Sequence, residues 1–265
     1  MNSFERRNKI VDLINTQGSV LVMDLSNTFG ISEVTIRADL RLLEEKGLVT
    51  RFHGGAAKPG SHLAEGDNNQ EVILEDRLTL ASDPKKKIAQ AAAAMVDEGM
   101  TVILDSGSTT LLIAEALCKK SNITVITNSL PAAFTLANNK DLTLVVCGGT
   151  VRHKTHSMHG TIAERSLQGI SADLMFVGAD GIDATNGITT FNEGYSISGV
   201  MAAAAHKVVA VLDATKFNRR GFNQVLPMDK ITTVITDDSI SKQDRAALAK
   251  TGVELQIVQA RTPLA

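Results

Sequence analysis

The sequence predicts two domains, a small helical domain closed by a β-hairpin and a larger α/β domain with a mostly parallel sheet. Three observations predict this arrangement. Apolar residues recur at helical spacing up to residue 43, and a short alternating segment with a glycine turn follows them. Farther along, apolar strands alternate with helical segments, which is typical of a parallel sheet covered on both faces. The predicted boundaries are 1–57 for the first domain, 58–75 for a linker and 76–260 for the second domain.

The segment from Ser32 to Gly47 predicts a helix. Ser32 is a favourable N-cap, and Gly47 stands where a glycine commonly ends a helix. Ile36, Leu40 and Leu43 share one face and should pack inward. The opposite face carries Val34, Arg37, Ala38 and Arg41. This face suits a DNA major groove, because arginine pairs with guanine and small apolar groups contact thymine methyls. An amphipathic surface helix with solvated arginines is the alternative.

The neighbouring segments favour DNA binding. A helical pattern from Phe4 to Thr16 and a second from Val20 to Phe29 precede this helix, which gives the order of a helix-turn-helix. Leu48 to Phe52 alternates like a strand and meets the turn residues His53-Gly54-Gly55. This pattern predicts a wing, a hairpin that lies on the phosphate backbone or in the minor groove. A protein-interaction module is the alternative use of such a domain.

Charge and composition bound the function. The net charge is −2, and residues 1–60 hold eight basic and seven acidic side chains. Any DNA affinity must therefore come from the placement of charge and from several copies binding together. No apolar run approaches the ~20 residues of a membrane span, and we expect a cytoplasmic protein without a membrane partner. Cys118 and Cys147 lie in apolar patterns and are expected to be buried thiols.

Residues 58–70 are polar and rich in turn residues, which predicts an exposed linker or an ordered arm across a partner subunit. Beyond them, predicted helices occupy 85–96, 109–119 and 131–137 and begin near Ala163, Gly194 and Ser241. Predicted strands occupy 100–104, 123–126, 142–147, 174–177, 208–212, 233–236 and 253–258.

Polar clusters follow five of these strands, at the edge where parallel sheets bind ligands. They are Asp105-Ser106-Gly107-Ser108-Thr109-Thr110, Thr127-Asn128-Ser129, Gly148-Gly149, Gly178 to Asp183, and Asp213 to Phe217 with Lys216. The first cluster leads into a helix whose N-terminus favours an anion, so it predicts a phosphate-binding loop. An ordinary capped turn between strand and helix is the alternative.

The first domain resembles the DNA-binding signature of the deoxyribose-operon-repressor (DeoR) family of bacterial sugar regulators. The resemblance rests on Arg6, Ile10 and Ile14, on Ser32 followed by Thr35-Ile36-Arg37-Ala38-Asp39-Leu40, and on Arg51-Phe52-His53-Gly54-Gly55-Ala56. From the residues and this resemblance we expect DNA contacts from Ser32, Val34, Thr35, Arg37, Ala38, Arg41, Arg51, His53 and Gly54.

The second domain resembles the effector domain of the same family, which is related to ribose-5-phosphate isomerase and the coenzyme A transferases. The family patterns appear as Gly148, Gly149, Arg152, Ser157 and Gly160, and as Gly187, Thr189, Asn192 and Glu193. The resemblance implies that Ser108, Thr109 and Lys216 hold a phosphate and that Asp180 faces sugar hydroxyls. The expected effector-binding residues are Asp105, Ser106, Gly107, Ser108, Thr109, Thr110, Asn128, Gly148, Gly149, Arg152, Asp180, Glu193 and Lys216.

An isomerase-like enzyme fused to a DNA-binding module is the alternative function, because proton transfer needs a positioned carboxylate. Asp180 and Asp183 could form such an acid and base pair. However, the isomerase's second aspartate falls on Val177, its lysine on Thr190 and its glutamate on Gly199, when the two are compared without gaps from Asp180. No lysine or arginine occurs from 182 to 205. We therefore expect no enzymatic activity.

His153, His156 and His159 recur every third residue, but zinc would need a shared geometry and a fourth donor, and no cysteine-rich segment is nearby. We expect neither a metal nor a cofactor. The resemblance implies a repressor of a sugar or sugar-alcohol operon of galactitol type. Its expected partners are operator DNA, a sugar phosphate that releases the repressor, and further copies of the chain in a dimer or tetramer.

Overall fold

The computed structural model describes residues 2–52, 55–59, 73–80, 82–191, 196–221 and 223–260. The chain divides into two compact units, Met1–Ser82 and Asp83–Ala265. Most of the predicted linker lies outside the described residues, as do the predicted site residues His53, Gly54 and Glu193 and the start of the helix predicted near Gly194. No helix in the described ranges is both long and apolar enough to cross a membrane.

The first unit is a winged helix-turn-helix, as predicted. Its elements are α1 (Ser3–Gln17), β1 (Ser19–Leu21), α2 (Val22–Phe29), α3 (Glu33–Glu45), β2 (Thr50–Phe52), β3 (Gly55–Ala57) and α4 (Leu74–Thr79). The three strands form an antiparallel sheet in the order β1-β3-β2. Val20 was predicted to begin the second helix, but it pairs with Ala56 in this sheet. Strand pairing satisfies its backbone groups and delays the helix until Val22.

Three helices build the core of the first unit. Ile10 and Ile14 of α1 meet Leu25 of α2 and the inward face of α3, where Ile36 and Leu40 are almost completely buried. Leu43 is buried as well, which confirms the predicted inward face of α3. This packing fixes α3 so that its opposite face points to solvent.

The second unit alternates strands and helices around one sheet. Its strands are β4 (Thr101–Leu104), β5 (Thr124–Thr127), β6 (Thr143–Val146), β7 (Thr150–Arg152), β8 (Ser157–His159), β9 (Ala172–Val177), β10 (Gly181–Asp183), β11 (Gly187–Thr190), β12 (Ala205–Val211), β13 (Asn223–Leu226), β14 (Thr233–Asp237) and β15 (Glu254–Val258). Its helices are α5 (Ser82–Ala94), α6 (Ser108–Leu117), α7 (Leu130–Leu136), α8 (Thr161–Arg165), α9 (Ser198–Ala203) and α10 (Lys242–Ala249), with 3₁₀ turns at Ala214–Asn218 and Met228–Lys230.

Seven strands form the central sheet in the order β15-β14-β12-β9-β4-β5-β6, and every pair in it is parallel. The predicted parallel α/β sheet is thus confirmed. From β4 the chain adds β5 and β6 on one side, and from β9 it adds β12, β14 and β15 on the other. The order of strands therefore reverses between β4 and β9, and such a switch point opens a crevice at the carboxyl ends of the strands.

Two small antiparallel sheets, β10-β11-β13 and β7-β8, stand outside the central sheet. The sequence patterns did not predict their strands, because runs of only three or four residues are too short to show a clear alternation of polar and apolar side chains. The polar cluster Gly178 to Asp183 does follow a strand, as expected, and its last three residues form β10, which pairs with β11. This pairing turns Asp180 inward, where only 4% of it is exposed.

Candidate functional sites

Both ends of α3 follow from its sequence. The Ser32 hydroxyl accepts a hydrogen bond from the Thr35 backbone amide at 3.3 Å. At the other end, Gly47 adopts a φ of 68°, and the Leu48 amide donates to the Leu43 carbonyl at 3.0 Å. Glycine adopts this left-handed conformation without steric cost, so the helix ends as the sequence predicted.

The solvent-facing side of α3 collects most of the predicted DNA-binding residues. Val34 is 77% exposed, and the other exposed members of the set are Ser32, Arg37, Ala38 and Arg41. Thr35 is half-buried, and its hydroxyl lies 3.0 Å from that of Ser32. The guanidinium of Arg37 donates to the Glu33 carboxylate at 2.8 Å, and both side chains remain about half exposed. This face combines an apolar group with two arginines, as base reading in the major groove requires.

Glu44 of α3 holds the wing in place through contacts with Arg51. Its carboxylate accepts from the backbone amide of Arg51 at 2.9 Å, and the Arg51 guanidinium lies 3.5 Å from the other carboxylate oxygen. Arg51 is half-buried, so part of its side chain still faces solvent. His53 and Gly54 belong to the turn outside the described residues, and their roles stay predictions.

Sequence reasoning missed the role of Arg6 and Arg7. Both donate to the buried carboxylate of Asp39, from Nε of Arg6 at 2.5 Å and from Arg7 at 3.1 Å. In the charge balance of residues 1–60 both arginines count as ordinary basic side chains. The signal was present in the family motif, which carries both Arg6 and Asp39, but a motif does not show that two of its residues touch.

All five predicted polar clusters lie at one edge of the central sheet, because they follow the carboxyl ends of the parallel strands β4, β5, β6, β9 and β12. The clusters after β4 and β9 flank the switch point. The sequence predicts each cluster separately, whereas the order of the strands in the sheet places the clusters after β4 and β9 next to each other.

The loop after β4 runs directly into α6. The backbone amide of Ser106 donates to the Asp105 carboxylate at 2.7 Å, and the Thr110 hydroxyl donates to the Gly107 carbonyl at 3.0 Å. Ser108 and Thr109 occupy the first turn of α6, where backbone amides lack acceptors within the helix. These amides and hydroxyls form the kind of site that binds an anion.

Asp105 is the centre of a buried polar group. Burial raises the pKa of its carboxyl above the ordinary value, although a hydrogen bond from the Ser198 hydroxyl opposes this shift. Asn128 and His159 are also close enough to lower this pKa. Cys147 lies near the same carboxyl, and burial together with the Asp105 charge raises the thiol pKa to about 11. No sequence pattern points to Ser198, which lies 93 residues from Asp105 in an apolar helical segment.

The β7-β8 hairpin packs beside this group. The Met158 amide donates to the Asn128 carbonyl at 2.8 Å, and the His159 Nε2 lies 2.7 Å from the Ser157 hydroxyl. A Cβ at Gly149 would lie 2.4 Å from the His159 carbonyl oxygen, so only glycine fits there. Gly148 lies against Ile162, and Arg152 is half-buried on β7.

His153, His156 and His159 do not assemble a metal site. Across the described ranges, no group of three or more histidine, cysteine, aspartate or glutamate residues could hold a metal ion.

Asp180 is held by the segment after β11. Its carboxylate accepts from the Thr190 hydroxyl at 2.7 Å and from the Phe191 amide at 3.2 Å. Asp183 accepts instead from the amides of Thr185 and Asn186. Burial alone would raise the pKa of Asp183, but these bonds lower it. The two carboxylates thus serve separate local hydrogen bonds, which does not favour an acid and base pair.

Asp213, at the end of β12, lies within electrostatic range of three cations. Burial alone would raise the pKa of Asp213, but the charges of Lys216 and Lys85 lower it below its ordinary value. Lys85 is only 2% exposed. Arg219 is also coupled to Asp213, and its guanidinium lies 4.9 Å from the centre of the Phe191 ring. We call Lys85, Lys216 and Arg219 the cation cluster.

The sequence identified only Lys216 in this cluster. Lys85 begins a run of three lysines, a pattern that ordinarily indicates a solvated helix face. Arg219 is not among the residues expected to bind the effector. Its segment packs on β11, since the Gly221 amide donates to the Thr189 hydroxyl at 2.9 Å.

Two family comparisons cover most of the chain. Residues 6–61 match the DeoR-like helix-turn-helix domain, and residues 80–238 match the DeoR C terminal sensor domain.

Individual relatives are similar over different lengths. The chain is 36% identical over 255 residues to the putative aga operon transcriptional repressor of Escherichia coli O157:H7, covering 96% of this chain and 93% of the relative. It is 63% identical over 101 residues to the putative galactitol utilization operon repressor of Escherichia coli K12, covering 38% and 89%. Among solved structures, ribose 5-phosphate isomerase A of Methanocaldococcus jannaschii overlaps 51% of this chain and 54% of that chain, with 21% identity and a TM-score of 0.38.

Proposed function

Because the chain belongs to the DeoR family of transcriptional regulators and is not an enzyme, we propose that it represses a sugar or sugar-alcohol operon of galactitol type. A phosphorylated sugar releases it from operator DNA. The 63% identity over 101 residues to the putative galactitol utilization operon repressor supports the galactitol part of this proposal. The observation that carries the effector part is the position of the α6 N-terminus and the cation cluster along one edge of the parallel sheet.

The winged helix would read operator half-sites through α3. Val34, Arg37, Ala38 and Arg41 would face base edges, while Ser32, Thr35, Arg51 and the wing residues His53 and Gly54 would contact the backbone or adjacent groove. The exposure of the α3 face supports this assignment. The Glu44 contact fixes the wing against α3, so both would meet the DNA together.

The effector phosphate would lie between the N-terminus of α6 and the cation cluster. Ser108 and Thr109 would donate to its oxygens, and Lys216, Lys85 and Arg219 would supply the positive charge. Such charge-assisted hydrogen bonds are stronger than neutral ones. Asp105, Asn128, Gly148, Gly149 and Arg152 line the adjoining part of the edge, and Asp180 and Glu193 complete the proposed set.

Release requires that effector and DNA favour different arrangements of the protein. Operators with two half-sites are read by two winged helices at a fixed spacing, so the repressor would act as a dimer or tetramer. An effector lowers DNA affinity only if it binds the DNA-free arrangement more tightly. A change in the spacing of the two winged helices is the simplest such difference.

Operator binding by the purified full chain tests the proposal. A labelled DNA fragment from upstream of its gene is titrated at fixed salt with and without hexitol and hexose phosphates, glycerol 3-phosphate and inorganic phosphate. We expect tight binding that one sugar phosphate weakens about tenfold or more, which corresponds to about 1.4 kcal/mol of coupling. Binding that no phosphate affects would contradict the effector assignment, and equal binding to unrelated DNA would contradict operator reading.

A further inference from the structure

Asn128 is a completely buried amide that makes no hydrogen bond of ordinary geometry among the described residues. Its side chain follows β5 and is 0% exposed, and neither its nitrogen nor its oxygen has a partner among the described residues. The backbone on each side is held, because the Asn128 carbonyl accepts from Met158 and the Ser129 amide donates to the Thr127 hydroxyl at 3.1 Å. Buried amides are almost always paired in folded proteins. An unpaired amide in a fixed backbone points to a ligand that pairs with it.

The contacts of the nearby residue Asp105 indicate which chemical group a ligand would place beside Asn128. The Asn128 amide is near enough to the Asp105 carboxyl to lower its pKa as a donor, although the two do not reach ordinary hydrogen-bond geometry, and that carboxyl already accepts a hydrogen bond from the Ser198 hydroxyl. Ser198 is the first residue of α9 and reaches Asp105 from a distant part of the sequence. In the free protein, an aliphatic hydroxyl group therefore donates a hydrogen bond to this carboxyl. A sugar hydroxyl has the same donor and acceptor chemistry.

The distribution of charge excludes a second anion here. The cation cluster acts on Asp213, which follows β12. Strand β9 lies between β12 and β4, so the two strands are about 10 Å apart across the sheet. Of the groups that shift the pKa of Asp105, only His159 can carry a positive charge, and its Nε2 is bonded to Ser157. A second anion at the buried Asn128 amide would lie against the Asp105 carboxyl and away from the cation cluster, which is energetically costly. Uncharged hydroxyls carry no such penalty.

We propose that Asn128 and Asp105 form a subsite that reads two neighbouring hydroxyls at the uncharged end of the effector. The inference rests on the proposed function and deepens it. The effector places its phosphate toward the cation cluster, and its hydroxyl end replaces Ser198 on Asp105 and pairs with the Asn128 amide. The subsite therefore accepts sugar or sugar-alcohol monophosphates and rejects bisphosphates and phosphorylated sugar acids.

Binding of a ligand at this subsite would also favour one arrangement of the protein over another. Asn128 is 0% exposed in the free protein, so a ligand reaches it only after its surroundings open. The Ser198 hydroxyl holds Asp105 in that closed arrangement. Ser198 thus competes with the ligand for the same acceptor. A ligand that displaces it favours an arrangement in which the N-terminus of α9 is no longer held at the end of β4, and this is the kind of difference that a released repressor needs.

Calorimetric titration of the full chain distinguishes binding at the hydroxyl subsite from binding of the phosphate. The probes are galactitol 1-phosphate, glucose 6-phosphate, inorganic phosphate, fructose 1,6-bisphosphate and 6-phosphogluconate. We expect Asn128→Leu to weaken the best-bound monophosphate about tenfold or more while changing inorganic phosphate less than about twofold. Ser198→Ala should tighten the same monophosphate several-fold, because the competing hydroxyl is gone. Asn138→Leu, at an exposed asparagine after α7, is the matched control and should change neither.

The thermal midpoint checks whether Asn128 has a structural role. Removing an unpaired buried amide should leave the midpoint of Asn128→Leu unchanged or raise it, whereas losing a structural hydrogen bond would lower it. The inference is wrong if Asn128→Leu binds the monophosphate like the wild type, if it loses inorganic phosphate equally, or if Ser198→Ala binds more weakly. Equal wild-type affinity for the bisphosphate or the sugar acid also overturns it. If the wild type binds none of the probes, the proposed function fails first.

Discussion

Arg6 Nε lies 2.5 Å from the Oδ2 atom of Asp39, in a buried ion pair that joins the first helix of the winged unit to its exposed helix α3. Arg7 donates to the other oxygen of the same carboxylate. Their charges are directed into the protein. They therefore orient α3, and the exposed arginines Arg37 and Arg41 are left to meet DNA.

Removal of Asp39 should destabilise the protein strongly. Asp39→Ala leaves the Arg6 guanidinium buried without its carboxylate, and breaking such a pair costs about 3 to 5 kcal/mol. Urea unfolding of the full chain, followed by circular dichroism, measures this loss. The control is Glu33→Gln, which removes an exposed ion pair on the same helix and should cost about 0.5 kcal/mol or less. Equal losses in the two variants would contradict a structural role for Asp39.

Arg37→Ala should change which DNA sequences are bound. If Arg37 reads a base edge, its loss costs about 1 to 3 kcal/mol on the operator and relaxes the preference at one base-pair position. Fluorescence anisotropy with a panel of single-substituted operators measures the effect at constant salt. A loss that is uniform across the panel would instead assign Arg37 to a phosphate.

Lys85→Met should weaken phosphate binding although the residue is nearly hidden from solvent. Its charge acts on Asp213 in the same cluster as Lys216, so its loss leaves less positive charge for the ligand. We expect affinity for a sugar phosphate to fall about tenfold or more, as when a hydrogen bond to a charged group is lost. Calorimetry compares it with Lys86→Met, the exposed neighbour that pairs with Asp83 at 3.9 Å. Equal affinities in both variants would remove Lys85 from the site.

The stability of Asp105→Asn relative to the wild type should depend on pH. Burial raises the pKa of Asp105 in the folded chain above its ordinary value of 3.8. Its stabilising contribution is therefore present below that value and is lost as pH rises through the folded pKa. Asparagine does not titrate, so the variant should gain stability relative to the wild type between about pH 4 and pH 7. Urea unfolding at both pH values measures the difference. A constant difference would show that the carboxyl titrates alike in both states.

Local sequence signals predict much of the fold. Ser32 and Gly47 bracket α3 because capping depends on residues within one turn of the helix end. The inward face of α3 and the parallel strands likewise follow from apolar spacing. The short strand β1 could not be predicted in this way. Val20 continues a helical pattern in the sequence, and it lies in a strand only because it pairs with Ala56.

The sequence by itself determined which residues are available at the candidate sites: an arginine-bearing helix face, a loop of small hydroxyl residues before α6, and polar groups after five strands. Only the tertiary structure decided which of them meet. The reversal of strand order between β4 and β9, the Ser198 bond to Asp105 and the burial of Lys85 beside Asp213 join residues far apart in sequence. Periodicity and capping act over a few residues. Long-range partners are chosen by packing and by the need to pair buried polar groups, which no local pattern records.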